Sequence, residues 1–301
     1  MDQIQSMRVF ARVVESGSFT RAAESLTLPK GTVTKLVQRL EERLRVKLLN
    51  RTTRRVTVTP EGAAYYERTS RVLNDIDDIE ASMTNAHASP SGRLRVDVGS
   101  TIASLIVIPA LPDFFARYPD IRLELGVGER PVDLVSENVD CVIRGGVIAE
   151  QSLVARRIAS LELMTVATPA YLARHGTPAH PRDIEESHTM IAFMSARTGQ
   201  LFPEIFDNGS ERIEFMAPRR MMVNEGNAFL AATLAGLGIG QVARFAAQSH
   251  LERGELVEVL PEWKHPPVPL HVVYPPNRHL SAKTRAFVDW AADLFAKHPG
   301  L

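Results

Sequence analysis

The strongest constraint on this chain is a double break in helical periodicity near its start. Gly17-Ser18 and then Thr27-Leu28-Pro29 cut residues 2–44 into three short helical stretches. Met7, Phe10, Val13 and Val14 recur at helical spacing in the first. Gly17 ends that stretch, Ser18 or Thr20 can cap the next, and Ala22, Ala23 and Leu26 carry it. Pro29 has no N–H to leave unpaired, so it suits the first turn of the third helix. That helix is expected to reach about Leu44, with Val33, Val37, Leu40 and Leu44 on one face. Small residues let two helices pack closely, and the last one offers a compact polar face of Lys30, Gly31, Thr34, Lys35 and Gln38. A helix-turn-helix requires this arrangement, its second helix entering the major groove. Lys30 and Lys35 can reach phosphate or guanine O6/N7, while Thr32 and Thr34 suit phosphates or thymine methyls. A plain three-helix bundle with a solvated face would show the same helix pair.

The next segment favours the nucleic-acid reading. Leu48 to Thr59 reads as two short strands around a polar turn bearing Arg51, Arg54 and Arg55. Arginines on such a wing gain most beside the phosphates or in the minor groove. Thr59-Pro60-Glu61-Gly62 then starts a helix, with a capping hydroxyl, a first-turn proline and an acid near the positive dipole end. Val72, Ile76, Ile79 and Met83 follow at alternating steps of four and three. That is a coiled-coil-like seam. A helix from Pro60 to about Ala86 would be roughly 40 Å long. It could fold back on its own wing domain, but a seam of this length suits pairing of two subunits, and a dimer can bind two half-sites together.

Charge separates the chain in the same place. The 35 basic and 35 acidic residues cancel overall, yet residues 1–72 carry a net +7 and residues 73–301 a net −7. This asymmetry suggests that the first block meets a polyanion. A length of 301 residues suits about two domains, and 45% hydrophobic with 23% charged residues is globular composition. The single Cys141 excludes an intrachain disulfide and a Cys-based zinc site, and its apolar surroundings imply a buried inert thiol. The N-terminus opens with an acid and lacks the apolar core of a signal peptide. Leu105 to Leu111, interrupted by Pro109, falls short of the ~18 residues of a membrane span. A cytoplasmic protein is expected.

With these residues assembled, the first 90 or so resemble the DNA-binding region of LysR-type transcriptional regulators. The resemblance lies in Gly17-Ser18-Phe19-Thr20-Arg21-Ala22-Ala23-Glu24-Ser25-Leu26, Val33-Thr34 through Leu40-Glu41, Leu48-Leu49-Asn50-Arg51, and Arg55-Val56-Thr57-Val58-Thr59-Pro60-Glu61-Gly62. It extends more loosely through the whole chain. It implies an α/β protein: an all-α winged helix-turn-helix over residues 1–59, a dimerising linker helix over 60–88, and an effector domain over 89–301. That domain would resemble type 2 periplasmic binding proteins. Its lobe I would cover about 89–161 and 269–301, its lobe II about 162–268, and the assembly would usually be a tetramer. Where the family commonly has Ser-Gln-Pro-Ala, this chain has Pro29-Lys30-Gly31-Thr32. Lysine cannot make the bidentate contact to adenine that glutamine makes, so operator bases do not carry over from relatives.

The acidic remainder alternates strands with helices, as a mostly parallel, doubly covered sheet would. Leu94, Val96 and Val98 form a strand, a helix runs from about Thr101 to Tyr118, and Ile121 to Val127 is a second strand. A short helix and a third strand, Cys141-Val142-Ile143, follow. The order recurs through Met190–Phe193, Arg220–Val223, a helix from Ala228 to Ala235 and Ile239–Val242, before a strand Leu270–Tyr274 and a last helix over Lys283 to Ala296. Ligands of open α/β sheets bind beyond the carboxyl ends of strands, where helix starts offer free amides. Ser100 and Thr101 occupy such a junction and could hold a carboxylate, although a routine helix cap would look the same. Arg144, followed by Gly145-Gly146, could approach a ligand closely or form a surface ion pair. Phe193, Ser195, Asn224 and Asn227 would line the opposite lobe, where the resemblance places the coinducer, with aromatic or carboxylate metabolites as the common class.

Other motifs fall away. Gly238-Ile239-Gly240-Gln241-Val242-Ala243 fits a dinucleotide fingerprint but follows a helix rather than a strand, so no cofactor is expected. His175, His180 and His188 lack ligand spacing and read as a surface loop, so no metal is expected. No nucleophile is paired with a base, and no catalytic residue is assigned. The remaining alternative is a solute-binding or small-metabolite enzyme domain of the same architecture. The expected partners are double-stranded DNA, a small-molecule effector and further copies of the chain.

Overall fold

The computed structural model describes residues 2–51, 56–84, 89–148, 150, 152–276 and 280–298, except the side chains of residues 51, 71, 74, 75 and 77–84. Arg54 and Arg55 therefore lie outside the described residues, as do the side chains of Arg51, Ile79 and Met83. The chain forms two compact units, Met1–Ala88 and Ser89–Leu301.

In the first unit, α1 (Gln3–Ser16), α2 (Phe19–Ser25) and α3 (Lys30–Leu44) precede β1 (Leu49–Arg51), β2 (Val56–Val58) and α4 (Pro60–Thr84). Asp2 caps α1 by accepting from the Gln5 amide at 3.1 Å, and Gly17, with φ of 62°, ends it in the left-handed region. Ser18 caps α2. Val9, Phe10 and Val13 of α1 meet Ala22 and Ala23 of α2 and Val33, Val37 and Leu40 of α3 in one core, closed by Leu48 and Leu49. Each buried Leu, Val or Phe contributes about 1.5–3 kcal/mol. Thr59 both caps α4 and ties down the strand before it, accepting from the Gly62 amide at 2.9 Å and donating to the Lys47 carbonyl at 2.8 Å. The first turns of α4 do fold back on α1: Tyr65 packs edge-on against Phe10 at 5.6 Å, and the Tyr66 hydroxyl donates to Glu15 at 3.2 Å. Farther along, Leu73 is buried, Ile76 half-buried and Val72 exposed.

The second unit has two lobes. Lobe I is built on β3 (Gly92–Val98), β4 (Ile121–Val127), β5 (Cys141–Gly145), β6 (Val154–Leu161) and β14 (Val268–Tyr274), in the order β4-β3-β5-β14-β6. The pairs β3-β4 and β3-β5 are parallel, but β14 is antiparallel to both β5 and β6. The expectation of a mostly parallel sheet is thus corrected. Antiparallel strands enter where the chain leaves this lobe along β6 and returns along β14. Helix α5 (Ser100–Arg117) covers the sheet with Ile102, Ala103, Ile106, Val107 and Phe114 buried. Phe114 packs against Phe287 and Trp290 of the last helix, α10 (Ala282–Lys297).

Helix α5 is long and apolar enough to cross a membrane, yet Ser100, Thr101, Ser104, Asp113 and Arg117 interrupt its apolar run. Pro109 and Pro112 do not stop the helix. Instead the Ala103–Val107 turn before them widens to i→i+5 bonding. Its apolar face belongs to the lobe I core. The short helix expected between β4 and β5 does not form. Asp133 accepts from the Val135 and Ser136 amides at 3.0 Å, and Asn138, with φ of 55°, turns the chain out after one turn.

Lobe II holds β7 (Leu163–Ala167), α6 (Pro169–His175), α7 (Pro181–Ser187), β8 (Met190–Phe193), β9 (Glu204–Asp207), β10 (Arg212–Phe215), β11 (Arg219–Val223), α8 (Gly226–Leu234), β12 (Gly240–Ala243), α9 (Arg244–Glu252) and β13 (Val257–Glu258). Only Glu162 separates β6 from β7. The pair β8-β11 is parallel, whereas β12 and β13 flank β7 antiparallel. The expected histidine loop is two short helices. His180 caps α7 in a reciprocal box with Asp183, and His188 ends it, buried. Cys141 is fully buried in β5, and burial pushes its thiol well up.

Candidate functional site

In the first unit, α3 begins without a side-chain cap, because Pro29 has no acceptor side chain to offer. Its first amides remain available at the positive end of the helix dipole, a ready seat for phosphate. Lys30, Gly31, Lys35 and Gln38 are exposed on this surface, with Thr32 and Thr34 half-buried between them. Val33, Val37 and Leu40 are buried on the opposite side. The Thr34 hydroxyl donates to the Lys30 carbonyl at 3.0 Å, so outward it offers its methyl and lone pairs. The wing is registered on the same helix: Glu41 accepts the Leu48 and Leu49 amides at 2.9 and 3.1 Å. Gly62 is required below it, since a β-carbon there would overlap the Leu48 carbonyl.

In the second unit, the start of α5 in lobe I meets the start of α8 in lobe II. Ser100 is 8% exposed. Its amide and hydroxyl hold a carboxylate of the chain itself: Glu129 Oε1 accepts at 3.0 and 2.9 Å. The same hydroxyl touches Glu225, which caps α8 by accepting from the Asn227 and Ala228 amides at 2.9 and 2.7 Å. Burial works to raise the Glu225 carboxyl, but Ser100 and those two amides outweigh it and hold it below the ordinary range. Thr101 points its hydroxyl at Gly226, where a β-carbon would overlap it.

Arg144 forms an ion pair with Asp97 rather than standing free, with both side chains largely buried. Phe193 and Val223 are paired at the ends of the parallel β8 and β11, which brings Phe193 beside Asn224. Phe193 is exposed, as are Asn224 and Asn227, and its ring lies 6.0 Å from Phe229. The Ser195 hydroxyl accepts from the Thr198 amide at 3.3 Å, within its own turn. Ser100, Thr101 and Arg144 therefore share one end of the lobe I sheet, while Phe193, Asn224 and Asn227 share the facing end of lobe II. Asp97, Glu129 and Glu225 escaped the sequence reading. Only Glu225 left a signal there, as an acceptor placed just before helical residues.

Comparison with known proteins decides the family. A model of the bacterial regulatory helix-turn-helix protein, lysR family, matches residues 4–63, and one of the LysR substrate binding domain matches residues 87–296. The chain belongs to the LysR family. An HTH-type transcriptional repressor of Pseudomonas aeruginosa (strain UCBPP-PA14) is 40% identical to this LysR-type regulator over 299 residues, covering 99% of this chain and 94% of its own. The activator AaeR of Escherichia coli (strain K12) is 31% identical over 298 residues, covering 99% and 95%. Among solved structures, CrgA from Neisseria meningitidis aligns with a TM-score of 0.63 at 31% identity, covering 97% of this chain and 99% of that one. The full-length virulence activator AphB of Vibrio cholerae aligns at 0.59 and 28%, covering 97% and 99%. This LysR-type regulator is a DNA-binding transcription factor with a small-molecule effector domain.

Proposed function

We propose that α3 reads the major groove through Lys30, Gly31, Thr32, Thr34, Lys35 and Gln38, with Arg51, Arg54 and Arg55 of the wing on the flanking backbone or minor groove. The observation that carries this is the uncapped start of α3, bearing exposed Lys30 and Lys35 opposite a fully apolar inner face. Retardation of the protein's own upstream DNA at rising salt tests it. Binding should weaken steeply as counterions are released, and binding indifferent to salt would defeat the reading.

Two copies pair through the α4 seam of Val72, Ile76, Ile79 and Met83, and the pairs assemble further into a tetramer in the cytoplasm. The exposure of Val72 supports the seam. Val72→Asp should reduce the sedimenting species by one step. The effector binds between the lobes, against Ser100, Thr101, Arg144, Phe193, Ser195, Asn224 and Asn227. There it biases lobe geometry and hence the spacing of the DNA-binding pairs.

A further inference from the structure

The cleft between the lobes gathers more acceptors than the fold supplies with donors. Glu129 of lobe I and Glu225 of lobe II both touch the Ser100 hydroxyl. A hydroxyl has one proton to donate, so it can serve only one of two carboxylates. Each acid is also held by backbone amides, Glu129 by that of Ser100 and Glu225 by those of Asn227 and Ala228. Two carboxylates thus converge on one hydroxyl proton, and the acceptors at this point outnumber the donors. Among the described residues neither acid makes an ion pair, because the adjacent guanidiniums are taken, Arg144 by Asp97 and Arg130 by Glu137 at 2.6 Å. A further polar atom is left over beside them. Thr101 Oγ1 is enclosed, has no hydrogen-bond partner among the described residues, and lies against Gly226.

One chemical group would satisfy all three. A primary ammonium has a positive charge and three N–H donors on a single atom. We propose that the effector carries a primary ammonium group, accepted by Glu129, Glu225 and Thr101 Oγ1, with an apolar portion against Phe193. This rests on the reading of the cleft as the effector site. Phe193 borders the seat because it sits beside Asn224 and packs on Phe229, one helical turn after Glu225. A carboxylate is the poorer fit. The Ser100 amide, the α8 amides and Arg144, the cleft's anion-binding groups, each already hold an acid of the chain. A bound metal ion fits less well too, since the described residues contain no group of three or more potential ligands among His, Cys, Asp and Glu.

The test uses the full-length protein with benzylamine and the similarly shaped benzoate at matched ionic strength, followed by thermal unfolding. Benzylamine should raise the unfolding temperature saturably and benzoate should not. Glu129→Gln should weaken the benzylamine response roughly tenfold, and Thr101→Val severalfold. Glu129→Gln carries the test rather than Glu225→Gln, since Glu225 also caps α8; the unliganded melting of each variant checks its fold. A saturable benzoate response that Phe193→Ala removes, with benzylamine silent, would overturn the ammonium assignment and leave the cleft standing. A benzylamine response untouched by Glu129→Gln, Thr101→Val and Phe193→Ala would overturn the cleft reading itself. Silence from both probes at tens of millimolar would also overturn the ammonium assignment, because a preformed pair of carboxylates should hold a benzylic ammonium more tightly than that.

Discussion

Glu41 Oε1, near the end of α3, accepts the Leu48 amide at 2.9 Å across seven residues of sequence, and the same oxygen takes the Leu49 amide at 3.1 Å. One carboxylate thus fixes the wing strand to the helix proposed to read DNA. Glu41→Ala leaves two amides without this acceptor and should destabilise the first unit by about 2 kcal/mol. DNA affinity should fall on all sequences alike, because register is lost rather than a base contact. Urea denaturation and retardation on specific and random DNA would measure both, and an unchanged stability would remove Glu41 from this role.

The same substitution at two glycines should act with opposite signs. At Gly62 a β-carbon would overlap the Leu48 carbonyl, a backbone group that cannot rotate aside. Gly62→Ala should therefore destabilise by about 2–3 kcal/mol. At Gly31 a β-carbon meets nothing within 4 Å. Gly31→Ala should stabilise α3 by about 0.5–1 kcal/mol, since alanine has less chain entropy to lose. Denaturation midpoints of the two variants would settle the contrast.

The first unit was legible because its signals are local. Gly17, Ser18, Pro29 and Thr59 mark element ends within a few residues of the bonds they make. The charged contacts of the cleft were not legible, because they join residues far apart: Ser100 meets Glu129 and Glu225 only once both lobes exist. Strand direction was hidden for the same reason. An apolar run such as Leu270 to Tyr274 reads alike in either orientation, and only its pairing with β5 and β6 makes it antiparallel.

Lys30 and Arg54 should separate base reading from backbone attraction. Lys30 is exposed at the first turn of α3, where the proposed groove reading sets it against base edges. Lys30→Ala should change which operator bases are preferred, whereas Arg54→Ala should weaken binding to every sequence and lower the salt slope by about one. Selection of bound sequences from a random pool, with salt titrations, would read both. Equal loss on every sequence for Lys30→Ala would defeat its base-reading role.

Buried His265 should make stability depend on pH. Its Nδ1 lies 2.7 Å from the Ile205 carbonyl and its Nε2 lies 2.8 Å from the Thr165 hydroxyl. These partners suit a neutral ring whose Nδ1–H donates to Ile205 and whose Nε2 accepts from Thr165. Burial depresses the imidazole below its ordinary value, the Ile205 carbonyl partly opposes this, and Lys264 adds to it. As pH falls below about 6.5, the unfolded chain takes up a proton that the folded ring refuses. Stability should therefore be full above that value and decline as pH drops toward the depressed one. His188, also held low by burial, acts in the same direction. His265→Gln should thus be less stable at pH 8 yet lose less on moving to pH 5.5, with part of the slope kept by His188. Urea denaturation of both proteins at the two pH values measures this, and an identical slope would mean that His265 accepts its proton without unfolding.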